Sequence, residues 1–506
     1  MSTSRDATPA TDQVGARVPF LAAGKWIAGS GDALRSINPA TGVLNTVIGT
    51  PSVSEIGEIV RAADAARRAP AWRDMQPHVR ARLLSKVADA IDARADALAR
   101  LQMLENGKVM SECKAQVASA AATFRYYAGV CETAESAVTP PRGKYWSMTV
   151  HEPMGVVLAI TPWNSPLTME AQKLAPALAA GNAVILKPSE VTPSPALELG
   201  RICCEVGVPP GVVSVLPGTG LAVGLPLARH PLVRMLSFTG GTATGRMLAG
   251  VAAERLIPAA LELGGKSPHI VFSDANLEAA TQEIIGGIFM STGQSCVAGS
   301  RLLVQRPIHD ELMALLTDKT RRIKVGLPDV AGSHIGPLAS FSHRERVERY
   351  VARARADGGV IAVGGDRPAE AALGEGAFYM PTVVTGLDNK AAVCQEEIFG
   401  PVLVVLPFED EADLIAQAND SAFGLASGIW TADYQKAWRV ARALEAGTVW
   451  INTYKQLSIS TPFGGFKDSG YAREKGIGGM RLYQQVKSLY WGMDAAAAGH
   501  VGEARS

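Results

Sequence analysis

The sequence predicts an α/β protein built around parallel β-sheets, and two features of its apolar pattern carry that prediction. From about residue 155, short β-branched runs alternate with helix-like segments at intervals of roughly 20–30 residues, the spacing of β-α-β units. The runs are apolar throughout, as strands covered by helices on both faces are. The first four are GVVLAI (155–160), NAVILK (182–187), GVVSVL (211–216) and RMLSF (234–238).

Helices are predicted around these strands. Residues 77–108 carry Leu, Val and Ile at helical spacing opposite an Arg- and Asp-rich face, which predicts helical structure, and residues 54–69 look similar. In SEVTPSPALELG, Thr192 is expected to be a helix N-cap, with Pro193 at the first helical position.

A second α/β region is predicted from about residue 266 to 465, followed by a terminal strand near 482–491. The first fifteen residues and the last thirteen are expected to be mobile tails. The strands of the second region include SPHIVF, SRLLVQ, PVLVVL and GTVWIN.

Composition limits the function classes. The 506 residues suffice for two or three domains, and 49 Lys and Arg against 48 Asp and Glu argue against a nucleic-acid or membrane-surface partner. No apolar run has the length of a signal peptide or a membrane span, so a cytoplasmic protein is expected. The six cysteines form no disulfide framework and no C-x-x-C metal spacing, so no metal site is expected.

Polar residues follow two predicted strands, where ligands collect in open α/β sheets. In ITPWNSP (160–166), Asn164 either donates its amide to a developing oxyanion or caps a turn. In LKPSE, Lys187 and Glu190 suit a nucleotide ribose, and a surface salt bridge is the alternative.

A glycine turn, FTGGTATGR (238–246), lies between a predicted strand and a predicted helix. Backbone N–H groups at a helix N-terminus bind a pyrophosphate well, although a plain strand-to-helix turn also uses glycines. Arg246 stands where a Walker motif requires lysine, and the G-x-G-x-x-G pattern is absent.

Two side chains have the chemistry of a nucleophile and a base. Cys296 in GQSCVAGSR has small neighbours that leave its thiol accessible, although a lone thiol is more often packed in a core. Glu262 in LELGGKSP is either a paired structural carboxylate or a general base tuned by desolvation. In EEIFGPV, Glu397 and Phe399 suit a ribose and a flat ring, or a charged edge and a core residue.

In this order and spacing, the motifs resemble those of the NAD(P)-dependent aldehyde dehydrogenase superfamily, of the non-acylating, hydrolytic type. The separations of 23 residues from Asn164 to Lys187 and 34 from Glu262 to Cys296 also match that family. The resemblance covers essentially the whole chain through GKWIAG…NPATG, TPWNSP, LKPSE, FTGGTATGR, LELGGKSP, GQSCVAGSR, EEIFGPV and PFGGFKDSG.

The resemblance implies a catalytic role for five residues. Cys296 would be the nucleophile and Glu262 the general base. Asn164 and the backbone N–H of Cys296 would form the oxyanion hole, and Lys173 and Glu474 would be a proton-relay pair.

The resemblance also implies the binding residues. Met169 and Phe463 would line the aldehyde tunnel. NAD is the expected cofactor, with NADP as the alternative, because the Glu190 carboxylate would repel the 2′-phosphate of NADP. The family commonly has Ser after Gly240, whereas this chain has Gly241, so backbone N–H groups must carry more of the pyrophosphate contact. The expected cofactor contacts are Thr161, Pro162, Trp163, Lys187, Ser189, Glu190, Gly220, Phe238, Thr239, Gly240, Gly241, Gly245, Leu263, Gly264, Glu397 and Phe399.

The implied reaction oxidises a small-molecule aldehyde to its acid through a thiohemiacetal and a thioester on Cys296. Two alternatives are a CoA-acylating aldehyde dehydrogenase, which typically lacks the Glu262 base, and an inert structural homologue, as some lens crystallins are. The segment 453–461 carries one cation, Lys455, and no arginine cluster, so a medium-sized aliphatic or aromatic aldehyde is expected.

The resemblance further implies three parts. A Rossmann-like NAD-binding domain would comprise residues 1–134 and 154–265, and an α/β catalytic domain residues 266–465. A small bridging β element, residues 135–153 and 483–493, would hold a homodimer or homotetramer together.

Overall fold

The computed structural model describes residues 17–493, so the predicted mobile tails lie outside the described residues. The elements of the N-terminal segment are β1 Phe20–Ala22, β2 Lys25–Ile27, β3 Leu34–Ile37, β4 Leu44–Ile48, α1 Val53–Arg68, α2 Pro70–Arg73, α3 Pro77–Asp92, α4 Ala95–Asn106 and α5 Met110–Thr133. Those of the next segment are β5 Val138–Thr139, β6 Tyr145–Pro153, β7 Val156–Ile160, α6 Pro166–Ala179, β8 Ala183–Lys187, α7 Ser194–Glu205, β9 Val213–Val215, α8 Leu225–Arg229, β10 Val233–Thr239, α9 Thr242–Arg255 and β11 Ala259–Glu262.

The remaining elements belong to the C-terminal half. They are β12 Pro268–Val271, α10 Leu277–Phe289, β13 Arg301–Gln305, α11 His309–Arg321, α12 Phe341–Ala356, β14 Val360–Val363, β15 Thr382–Thr385, α13 Ala392–Gln395, β16 Val402–Phe408, α14 Glu411–Asn419, β17 Phe423–Gly424, β18 Ala426–Trp430, α15 Tyr434–Ala443, β19 Thr448–Ile451, β20 Phe466–Lys467, β21 Gly470–Tyr471, α16 Gly476–Arg481 and β22 Gln484–Gly492.

Two sheets confirm the α/β prediction. The six-stranded sheet has the order β21-β11-β10-β7-β8-β9 and is parallel except for β21. The seven-stranded sheet has the order β14-β15-β16-β13-β12-β18-β19 and is parallel except for β14. The central strands β7 and β8 are almost wholly buried, which is why their sequences are apolar at successive positions.

The predicted helical structure over residues 77–108 is divided between two helices, α3 and α4. Arg94 leaves the helical region of φ/ψ space at −116°, 18°, and this interruption separates α3 from α4. Gly107 ends α4 in the left-handed conformation, at φ 73°. The break lets the apolar faces of both helices pack against α5.

The predicted cap at Thr192 is wrong. Helix α7 begins at Ser194, after Pro193, and the Thr192 hydroxyl has no hydrogen-bond partner among residues 17–493. The carboxylate of Glu105 on α4 instead accepts hydrogen bonds from the Ser194 backbone N–H at 3.0 Å and hydroxyl at 2.6 Å. A residue remote in sequence therefore supplies the cap.

The predicted terminal strand is confirmed as β22. It pairs antiparallel with β6 along nine residues, and β5 completes a three-stranded sheet. Between residues 17 and 493, no helix combines the length and the apolar character needed to cross a bilayer.

Candidate active site

The carboxyl edge of the six-stranded sheet meets the amino edge of the seven-stranded sheet. Strand β11 ends at Glu262 and β12 begins at Pro268, so only a short segment separates the two edges. The loops that carry Asn164, Cys296 and Glu397 converge on this segment, which we call the junction.

A constrained turn holds the Cys296 loop in place. Ser291, Thr292 and Gly293 have positive φ angles of 61°, 54° and 71°. Left-handed backbone at a residue other than glycine costs on the order of 1–3 kcal/mol, so tertiary contacts must hold this turn. The Ser291 N–H donates to the Glu112 carboxylate at 2.7 Å, and a Cβ at Gly293 would lie 2.0 Å from the Gly400 carbonyl oxygen.

Asn164 lies beside the Cys296 loop. Its side-chain amide donates to the Gln294 carbonyl oxygen at 3.0 Å, two residues before Cys296. An amide NH₂ has two donor hydrogens, so this contact leaves one for a further acceptor. The structure therefore brings together the two residues that the sequence separates by 132 positions.

Cys296 is partly buried against an apolar cluster. Burial is the main cause that raises the pKa of its thiol to about 12, and the negative charges of Glu397 and Glu262 add to it. The Val297 N–H acts in the opposite direction. The thiol is therefore protonated at neutral pH in this state. The cluster comprises Val297, Leu425, Ala426, Trp450, Tyr454 and Phe463.

Glu262 is a buried carboxylate without hydrogen-bond partners. Glu262 is 4% exposed, and neither of its carboxylate oxygens has a hydrogen-bond partner among the described residues. Burial raises its pKa well above the usual value, and the charge of Glu474 raises it further. A Cβ at Gly464 would lie 2.8 Å from Glu262 Oε1, so this glycine leaves room for the carboxylate.

Lys173 and Glu474 form a buried ion pair. Lys173 Nζ lies 2.7 Å from Glu474 Oε1, and Gln172 donates to the other carboxylate oxygen. The Lys173 ammonium also donates to the Ser237 hydroxyl at 3.1 Å, which lies 2.9 Å from the Tyr483 hydroxyl. The predicted pairing of these two residues is present, and their relay role stays a prediction.

The predicted cofactor residues surround the point where the strand order reverses. Strands β7 and β10 are neighbours, with Ile160 opposite Phe238, and the chain leaves them in opposite directions across the sheet. In open α/β sheets, ligands bind at such a point, outside the carboxyl ends of the strands. Thr161, Pro162 and Trp163 follow β7, and the glycine turn follows β10.

The glycine turn leaves little room for side chains at two positions. A Cβ at Gly240 would lie 2.5 Å from the Phe238 ring, and one at Gly245 would lie 2.4 Å from the Leu263 side chain. Gly241 is the N-cap of α9 and provides no side-chain cap, so the first N–H groups of α9 remain available to an anion.

Three hydroxyls at this site are buried without a hydrogen-bond partner in the described part of the chain: Thr161, Thr239 and Thr242. Buried hydroxyls usually have partners, so their isolation fits a polar ligand such as a dinucleotide. Thr242 lies within the motif FTGGTATGR, but the motif did not predict a cofactor contact for it.

Lys187 is the last residue of β8, Glu190 follows the strand, and the two form an ion pair of 3.4 Å. The Lys187 side chain is buried, which lowers its pKa, whereas the Glu190 side chain is 47% exposed and can reach a ligand hydroxyl. The Ser189 hydroxyl accepts from the Val191 N–H at 3.2 Å. Gly220 begins a π-helical turn of five residues with open space around it.

Glu397 and Phe399 lie at the junction. Glu397 accepts the Gly265 N–H at 2.9 Å, and a Cβ at Gly264 would lie 2.5 Å from the same carboxylate. Burial raises the pKa of Glu397. Phe399 has a positive φ of 62°, and its carbonyl accepts from the His343 ring at 2.7 Å.

His343 and Trp163 support Phe399 from two sides. The Trp163 ring packs edge-on at 5.2 Å from both Phe399 and His343. Sequence reasoning missed His343, because it lies 56 residues before Phe399 and no motif surrounds it.

The two predicted tunnel residues lie in different positions. Phe463 belongs to the apolar cluster that packs against Cys296. Met169 lies in the first turn of α6, partly buried, with its N–H bonded to the Ser165 carbonyl at 2.9 Å.

The sequence matches the model of the Aldehyde dehydrogenase family over residues 26–489. It is 40% identical over 479 residues to betaine aldehyde dehydrogenase of Bacillus subtilis (strain 168), covering 94% of this chain and 97% of that one. It is 39% identical over 498 residues to phenylacetaldehyde dehydrogenase of Pseudomonas fluorescens, covering 96% and 98%. A crystal structure of betaine aldehyde dehydrogenase from Staphylococcus aureus in complex with NAD+ superposes with a TM-score of 0.92 at 37% identity, covering 95% of each chain.

Proposed function

Because this chain belongs to the aldehyde dehydrogenase family, we propose that it oxidises an aldehyde to a carboxylic acid with NAD, through a covalent bond to Cys296. The observation that carries the proposal is the juxtaposition of three groups. The three groups are a partly buried thiol, an amide that donates to the backbone carbonyl two residues before that thiol, and a carboxylate without a hydrogen-bond partner among the described residues; they are the parts of a covalent hydrolytic mechanism.

The first step forms a bond between Cys296 Sγ and the aldehyde carbon. Since the thiol is protonated, its proton passes to a water as the bond forms, so this step does not require Glu262. The carbonyl oxygen becomes an oxyanion, which the remaining Asn164 N–H and the Cys296 backbone N–H stabilise.

When bound at the junction, NAD supplies the acceptor for the hydride that leaves the thiohemiacetal carbon. The residues that would hold it are the α9 N-terminus, the three unpaired threonine hydroxyls, Glu190 and Glu397. Glu190 favours NAD over NADP, because its carboxylate would repel a 2′-phosphate.

The last step hydrolyses the thioester on Cys296. Glu262 takes a proton from water, the resulting hydroxide adds to the acyl carbon, and the Cys296 sulfur leaves. The charge of Glu474 raises the pKa of Glu262, and the charge of Lys173 lowers it. Because this ion pair acts directly on the buried base, we assign it the route by which the proton leaves Glu262.

We also propose that the β5-β6-β22 sheet holds two or more copies of this chain together. Its strands expose large apolar side chains, and such a patch marks an association surface. These are Val138, Trp146, Val486, Leu489, Tyr490 and Trp491. Light scattering on Trp491→Glu should give a smaller assembly than the unaltered protein; an unchanged mass would contradict this assignment.

Rapid mixing of Glu262→Gln with NAD and an aldehyde tests the mechanism. We expect a burst of NADH followed by a collapse of turnover, because acylation of Cys296 survives while hydrolysis does not. Unchanged steady-state turnover would refute the role of Glu262, and acyl-CoA formation on adding CoA would favour the acylating alternative. No NADH from any aldehyde in a panel would favour an inert homologue. The panel would include betaine aldehyde and phenylacetaldehyde, because two relatives of this chain carry the names betaine aldehyde dehydrogenase and phenylacetaldehyde dehydrogenase.

A further inference from the structure

Lys455 lies beside the Cys296 loop, although 159 residues separate the two in sequence. The preceding residue, Tyr454, donates its hydroxyl to the Val297 carbonyl at 3.0 Å and its N–H to Glu283 at 3.0 Å. The Tyr454 ring also stacks on His269 at 4.3 Å. These contacts fix the backbone of Lys455 next to the nucleophile, within range of charge interaction with Cys296.

Within the described residues, the ammonium of Lys455 has only one weak partner. It donates to the Gly286 carbonyl at 3.4 Å, and it forms no ion pair with any carboxylate among residues 17–493. Burial lowers its pKa to about 8, and the nearby charge of Lys108 contributes to that lowering. Lys455 therefore remains largely protonated at neutral pH, although no carboxylate pairs with its positive charge among the described residues.

Lys108 adds a second cation to this site. It is 3% exposed, and within the described part of the chain no residue accepts a hydrogen bond from its ammonium. Glu112 is the carboxylate whose charge acts on both lysines. The Glu112 carboxylate also accepts the Ser291 N–H. Two ammonium groups thus share one carboxylate, which leaves an excess of one positive charge.

Lys475 provides an internal contrast. Its ammonium lies 5.5 Å from the centre of the Phe463 ring, and it also acts on Cys296 by its charge. Two carboxylates, Glu474 and Glu262, act on it by their charges, and Glu474 also pairs with Lys173, so two lysines face two carboxylates on this side. The excess of positive charge therefore lies on the Lys455 side of Cys296.

We propose that Lys455, supported by Lys108, binds a carboxylate at the end of the aldehyde substrate remote from its carbonyl. This inference rests on the proposed function and names the substrate class of the same site. A single carboxylate balances the excess charge and gives the partly buried Lys455 ammonium a charge-assisted hydrogen bond. An aldehyde with a positive charge would instead be repelled.

The test compares aldehydes that differ only in that carboxylate, 5-oxopentanoate and pentanal. We expect kcat/KM to favour 5-oxopentanoate at least tenfold, and the preference to weaken between 0.05 and 0.5 M NaCl because salt screens the attraction. In Lys455→Met, the ratio of the two kcat/KM values should fall about tenfold or more, mainly through KM for the charged aldehyde. Lys455→Arg should retain much of the preference.

Two variants are controls for a general loss of positive charge. Lys475→Met should change the ratio less than Lys455→Met, because carboxylates compensate Lys475. Lys114→Met should leave the ratio unchanged, because that exposed lysine pairs with Asp96 on the surface. An equal or greater preference for pentanal in the unaltered protein, or an unchanged ratio in Lys455→Met, would overturn the inference.

Calorimetric binding of pentanoate and pentanamide, which differ in the charge at one end, gives a readout that requires no turnover. Tighter binding of pentanoate, lost in Lys455→Met, is expected; equal binding of the two compounds would overturn the inference. If Lys455→Met does not fold, the same comparison in the unaltered protein, with its salt dependence, decides the matter. Absence of NADH with every aldehyde would refute the proposed function, whereas oxidation without a preference for the charged aldehyde would refute only the substrate class.

Discussion

The reactivity of the Cys296 thiol in the absence of cofactor is a direct consequence of its surroundings. With a pKa of about 12, only about one thiol in 10⁵ is ionised at pH 7, against about 3% for an unperturbed cysteine of pKa 8.5. Since the thiolate is the nucleophile, alkylation of Cys296 by iodoacetamide should be about three orders of magnitude slower than that of a free thiol. The alkylation rate of Cys296 should still increase with pH at pH 10, because the thiol is then still below its pKa.

Glu397 is the largest charge that raises this pKa, so Glu397→Gln should accelerate alkylation at pH 8 by lowering it. Mass spectrometry of the Cys296 peptide would give the rate, with the exposed Cys204 as an internal comparison. A plateau of the Cys296 rate below pH 9, or no acceleration in Glu397→Gln, would refute this account of the thiol.

Three further predictions follow from the geometry. Asn164→Ala should lower kcat by about 10²–10³-fold while NAD still binds, as stopped-flow kinetics and fluorescence titration would measure; a change of less than threefold would contradict an oxyanion role. Glu105 is buried, and its pKa is raised to about 7. Its protonated form therefore contributes its full stabilisation below the unfolded pKa of about 4.5, and up to about 3 kcal/mol of the free energy of unfolding is lost as the pH rises through 7. Glu105→Gln should remove that part of the pH dependence of Tm, and a parallel pH profile would contradict it. Gly245→Val should weaken NAD binding and lower Tm, because its Cβ would lie 2.4 Å from Leu263 Cδ2; calorimetry and thermal unfolding measure both, and unchanged values would contradict the crowding.

Local helix signals were the weakest part of the sequence prediction. The apolar spacing over residues 77–108 continues through the break at Arg94, because periodicity does not register where the hydrogen-bond ladder is interrupted. Thr192 and Pro193 had the composition of a helix start, yet Glu105 from another helix supplies the cap. A cap that comes from a distant side chain produces no pattern in the local sequence.

The sequence by itself determined the two parallel sheets, the position of the glycine turn and the identity of the candidate nucleophile. These follow from local chemistry: strands buried on both faces must be apolar throughout, and turns without room for a Cβ must be glycine. Motif order and spacing then pointed to Cys296, Glu262 and Asn164.

Only the tertiary structure decided the electrostatics of the site. The raised pKa values of Cys296 and Glu262 come from burial and from carboxylates remote in sequence, and the excess positive charge beside Lys455 comes from Lys108 on another segment. Desolvation and charge interaction depend on distance through space, which the order of residues along the chain does not specify. The linear motif GQSCVAGSR therefore identifies the thiol, whereas burial and the carboxylates gathered around it raise the pKa of that thiol.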